Sequence, residues 1–169
     1  MKSKRHVIYL SAIVLALAII QADFMKDMSA FGARPDLILL LCSSVGFFTT
    51  GGAALPLILS LFAGIIQGAF SDMSPAFYAV MTPLCAYASY RIGNRRHRYE
   101  TVALVLTAAV CTAAYWLASL AALAASGDIN SAILAAGLII PQIAVNAVMI
   151  WPVSLIARAF SPRKGYDKA

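Results

Sequence analysis

The stretch DLILLLCSSVGFFTTGGAALPLILSLFAGIIQGAFSD, residues 36–72, decides the fold, because 35 residues without a charge separate Asp36 from Asp72. As one helix those 35 residues would be about 52 Å long at 1.5 Å per residue, far beyond the roughly 30 Å hydrocarbon core of a bilayer. The stretch must turn back on itself, and Thr49-Thr50-Gly51-Gly52 is its only turn-like cluster. It therefore divides into a helix over about 36–48 and another over about 53–71. The first of these is short for a span and has to draw on its flanks, thin the bilayer or be covered by neighbours.

Working outward, the remaining spans follow from the other charge-free intervals, since a central Asp, Lys or Arg costs about 2.5–3.5 kcal/mol on insertion. A first helix over about 7–24 stands behind Lys2, Lys4 and Arg5, and without a small-x-small cleavage site after it, it reads as a retained helix. A fourth runs over about 75–92, with Ser74 as N-cap, Pro75 at the first helical position and Pro83 as a kink. The fifth, about 101–125, and the sixth, about 131–160, are separated by the polar turn Ser126-Gly127-Asp128-Ile129-Asn130, and Pro141 and Pro152 should bend the sixth. With 62% hydrophobic residues and 12% charge in 169 residues, the chain is expected to be an all-α integral membrane protein. The expected architecture is a single polytopic domain, a six-transmembrane-helix bundle with no room for a separate soluble module.

The charges sort by side. Eleven of the thirteen Lys and Arg, among them Arg91, Arg95, Arg96 and Arg98 in one basic loop, fall with the two termini, leaving only Lys26 and Arg34 opposite. Asp23, Asp27, Asp36, Asp72 and Asp128 go the other way. By the positive-inside rule both termini are cytoplasmic in a multi-pass protein of the cytoplasmic (inner) membrane. The net charge of +6 is then a topology signal and a contact with anionic membrane lipids, and calls for no nucleic acid.

Little in the chain points to chemistry. There is no HExxH, no phosphate loop with Lys and no Ser, His and Asp set, so no enzymatic activity and no cofactor is expected. His6 and His97 sit beside Arg at cytoplasmic boundaries, and Cys42, Cys85 and Cys111 read as small core residues, with no metal site. Within the spans Gln21, Gln67, Gln142 and Asn146 read as polar glue between helices, with one sharper alternative: Gln142 and Asn146, one turn apart beside Pro141, line a polar pocket. Ser60, Gly64 and Gly68 recur every four residues along a stripe ending at Asp72, a helix-packing or partner interface; Ala12/Ala16 and Ala114/Ala118/Ala122 follow the same logic. Asp72 is either a turn residue capping the fourth helix or a fixed outward contact, and Asp36 favours the positive end of the second helix's dipole.

These residues carry a resemblance. Arg34-Pro35-Asp36-Leu37-Ile38-Leu39-Leu40, then Gly64-Ile65-Ile66-Gln67-Gly68-Ala69-Phe70-Ser71-Asp72-Met73-Ser74, then Ala86-Tyr87-Ala88-Ser89-Tyr90-Arg91 resemble, in that order, the rod-shape-determining membrane protein MreD family of bacteria. Pro35, Asp36, Ser74 and Tyr87 are the motif positions. The resemblance implies a non-enzymatic subunit of the cell-elongation machinery, bound to the single-span protein MreC and helping position or regulate peptidoglycan synthesis. It would work with MreB, RodA and a class B penicillin-binding transpeptidase in a larger complex. It also implies the fold of the substrate-binding component of energy-coupling-factor transporters. The alternative is that the chain is itself such a vitamin-binding component, a reading that a pocket rich in polar and aromatic residues would favour.

Overall fold

The computed structural model describes residues 2–23, 32–50, 52–71, 74–95 and 100–160, and among them the chain is all-helical. Six helices follow in order: α1 (Lys2–Asp23), α2 (Leu37–Phe48), α3 (Ala54–Ala69), α4 (Pro75–Gly93), α5 (Glu100–Ala125) and α6 (Ile129–Phe160). The uncharged stretch does divide at Thr49, whose hydroxyl and backbone N–H both return to the Val45 carbonyl, at 2.6 and 3.0 Å. Two of the helices, α5 and α6, are long and apolar enough to cross a membrane.

The short helix is the centre of the bundle. At 12 residues α2 is about 18 Å long, and every one of its residues is buried. It packs on all five other helices, most extensively on α4 and α6. Of the three ways expected for so short an apolar helix, the fold shows cover by neighbours. The most extensive contact is α3 along α4, followed by α2 on α4 and then α5 on α6, and α1 lies against α3, α2 and α6.

Glycine sets how closely α4 is approached. A Cβ built on Gly64 would lie 2.4 Å from the Tyr78 carbonyl oxygen, and one on Gly68 would lie 2.5 Å from the Pro75 Cα. On the other side of α4, a Cβ on Gly46 would meet the Ala86 oxygen at 2.3 Å, and one on Gly93 the Phe47 oxygen at 2.1 Å. Bare backbone therefore faces backbone along both sides of α4, the packing mode small residues allow where helices associate by close contact. Ser60, fully buried, turns its hydroxyl back to the Pro56 carbonyl at 2.6 Å, so the stripe hides its polar atom within α3.

The turn between α5 and α6 closes as a Schellman motif. Gly127 takes φ +83°, Gly127 N–H donates to the Ala124 carbonyl and Asp128 N–H to the Leu123 carbonyl. Asp128 then caps α6 by accepting from Ser131 N–H at 3.1 Å. Ser74 does precede α4 with Pro75 in the first turn, yet its side chain makes no capping hydrogen bond. The three cysteines are free and buried.

Candidate functional site

The N-terminal end of α2 presents a problem of its own: the first N–H groups of a helix have no partner within it, and here they are buried away from solvent. Asp36 and Gln21 take up two of them, within a side-chain network that draws on four helices. Asp36 accepts from Leu39 N–H at 3.0 Å, and Gln21 of α1 accepts from Ile38 N–H at 3.3 Å. The Asp36 N–H itself donates to Asn146 Oδ1 of α6 at 3.0 Å, and Asn146 Nδ2 donates to Thr112 Oγ1 of α5 at 3.1 Å. Gln67 of α3 donates Nε2 to both Asp36 oxygens, at 3.1 and 3.2 Å, and Gln21 Nε2 reaches Oδ1 at 3.4 Å. One turn above Asn146, the Gln142 amide pairs with both backbone groups of Arg34, accepting from its N–H at 3.2 Å and donating to its carbonyl.

Above this polar floor lies a cavity of about 430 Å³, within the range of small-molecule sites. Asp36, Gln21, Gln67 and Gln142 line it below; Tyr78, Tyr115 and Trp116 form an aromatic wall, with Phe70 beside them. The Tyr78 and Tyr115 rings sit 5.8 Å apart, and Phe77 backs Tyr115 edge-on at 5.4 Å. Ser71 and Tyr78 share a hydrogen bond of 2.5 Å. The C-terminal ends of α1 and α3, the N-terminal ends of α2 and α4, and the facing parts of α5 and α6 all meet here.

The sequence-derived residues separate cleanly. Gln142 lines the cavity, and Asn146, 0% exposed, lies one turn deeper at the Asp36 backbone. Pro35 and Asp36 join them; Asp36 is a helix cap, but only 9% exposed, because α2 begins inside the bundle. Ser60, Gly64 and Gly68 lie in the helix packing away from this cavity, and Ser74 is exposed. Tyr87, also exposed, accepts from Arg91 at 3.2 Å and borders an apolar groove between α3 and α4 with Leu61 and Leu84. Arg91 and Arg95 are exposed at the far end of α4, and Asp72, Arg96 and Arg98 lie outside the described residues. The roles of Gln21 and Gln67 as partners of one carboxylate, and the wall of Tyr78, Tyr115 and Trp116, are not apparent in the sequence. The aromatic residues stand in apolar runs where only the tertiary fold gathers them.

Asn146 tests this account of the floor. Asn146→Leu fills the same space but leaves Asp36 N–H and the Thr112 hydroxyl without their partner, at about 1–3 kcal/mol for a buried donor left unmade. Thermal unfolding in detergent should show a clearly lowered midpoint; an unchanged midpoint would mean that water replaces the amide. Compared with family models, curated proteins and solved structures, the chain matches none of them.

Proposed function

We propose that the chain is a six-span, multi-pass protein of the bacterial inner membrane that serves, without enzymatic activity, as a subunit of the cell-elongation complex. Its principal partner is MreC, with MreB, RodA and a class B penicillin-binding transpeptidase in the larger assembly. The observation that carries the reading is the meeting of two of the three sequence segments that resemble the MreD family. Asp36, from the first, and Gln67, from the second, bond to each other at the head of α2, so these segments act as one structural unit. A scaffold asks for lateral helix surfaces, and the bundle has them: Ile58, Ile65, Val80, Val110, Ile133 and Leu155 are all exposed.

The orientation follows from the charges. Arg91, Arg95 and the Arg158–Glu100 pair, 3.8 Å apart, gather at the end of the bundle remote from the cavity. That end is cytoplasmic in this reading and the cavity opens outward. Green fluorescent protein fused to either terminus should fluoresce, while alkaline phosphatase at the same positions should be inactive; active phosphatase would reverse the orientation.

A second reading, the substrate-binding component of an energy-coupling-factor transporter, is favoured by the cavity with its polar floor and aromatic wall. Affinity purification from native membranes in mild detergent separates the two. Recovery of MreC with elongation enzymes supports the scaffold. Recovery of transporter ATPases with a coupling subunit supports the second reading and overturns the first.

A further inference from the structure

We propose that the cavity at the head of α2 binds a small organic cation with a flat, N–H-rich head such as an amidinium. The inference does not rest on the scaffold reading, since it concerns what the cavity recognises, whichever complex the bundle joins.

The argument is an account of unspent hydrogen-bonding capacity. The floor amides already donate: Gln67 Nε2 to both Asp36 oxygens, Gln142 Nε2 to the Arg34 carbonyl, and Asn146 Nδ2 to Thr112. The Asp36 carboxylate keeps acceptor capacity. A carboxylate can accept about four hydrogen bonds, yet Asp36 Oδ2 has only the shared contact with Gln67, at 3.2 Å. Gln67 Oε1 also has no partner, but it is shut off from the cavity as well as from solvent. Spare acceptor capacity on a carboxylate that lines the cavity asks for a group with N–H donors.

Charge and shape narrow the class. Among the described residues Asp36 makes no ion pair, and Arg34, at the rim, is exposed and bonded through its backbone to Gln142. The positive end of the α2 dipole offsets part of the carboxylate charge, and a bound cation would offset the rest. A cavity of about 430 Å³ is too large for a bare monovalent ion. Tyr78, Tyr115 and Trp116 in its lining supply the aromatic surface that a flat organic cation favours.

Benzamidine serves as the probe, with neutral benzamide and anionic benzoate as matched controls, on the full chain in lipid nanodiscs. The chain has two tryptophans, and Trp151 lies exposed on α6, so Trp151→Phe leaves Trp116 as the sole reporter in the cavity. Benzamidine should change the Trp116 emission saturably and raise the melting temperature. Benzamide should bind about tenfold more weakly, as expected for loss of a charge-assisted bond, and benzoate should not bind. Asp36→Asn, which keeps the size of the side chain, should erase the preference for benzamidine over benzamide. If that variant does not fold, the ranking of the three probes on the unaltered carboxylate decides alone. Equal response to benzamidine and benzamide, a response to benzoate, or no saturable response overturns the proposal.

Discussion

Gly64→Leu/Gly68→Leu should leave no folded bundle: the double variant is expected to insert poorly, aggregate on extraction and be degraded in cells. The reason is geometric. The first atom of either new side chain would lie 2.4 Å from the Tyr78 carbonyl oxygen or 2.5 Å from the Pro75 Cα, and those are backbone atoms that no rotamer change can move. Overpacking a core with extra methylenes costs about 1–3 kcal/mol when neighbouring side chains can yield. Here α3 and α4 would have to separate along the most extensive helix contact in the molecule. In lipid, lost close packing is not repaid by a hydrophobic effect. Gly137→Leu is the matched control, because nothing lies within 4 Å of a Cβ at that position. It should extract as a single species at normal yield. Normal assembly of the double variant would mean that α3 and α4 do not touch at these glycines.

How much of this was legible beforehand depended on how local each signal is. The split of residues 36–72 into two helices, Pro75 in the first turn of α4 and the turn around Gly127 rest on neighbouring residues, and sequence spacing carries them, whereas the capping bond expected of Ser74 is not made. The stripe of Ser60, Gly64 and Gly68 was visible as a pattern, but whether it faced α4 or another protein depends on which helix lies beside it. Asp36 illustrates the limit best. As a cap it is readable from one residue and the apolar run behind it; its burial is not, because it follows from α2 being short and wrapped by five helices. The cavity is harder still. Gln21, Gln67, Tyr115 and Gln142 are separated by 46, 48 and 27 positions along the chain, and no periodicity links them.

Asp36→Ala should be the most damaging single substitution at the polar floor, and its pattern of rescue distinguishes a hub from a simple cap. Loss of an N-cap costs about 0.5–2 kcal/mol. The alanine variant would also leave the Gln67 amide buried with no acceptor, adding about 1–3 kcal/mol. Gln21 Nε2, at a long 3.4 Å from the carboxylate, adds less. Asp36→Asn should be milder, since its oxygen can still accept from Leu39 N–H while a rotated Gln67 turns Oε1 toward the new NH₂. The decisive variant is Asp36→Ala/Gln67→Leu. Removing both partners of a buried hydrogen bond is close to neutral where removing one is costly, so the double variant should be more stable than the sum of the single losses implies. Residues in direct contact commonly show such coupling, at about 0.5–3 kcal/mol. Thermal unfolding of the four proteins in one detergent gives the cycle. Strict additivity would mean that Gln67 finds water in place of the carboxylate, and that the head of α2 is held by its own cap alone.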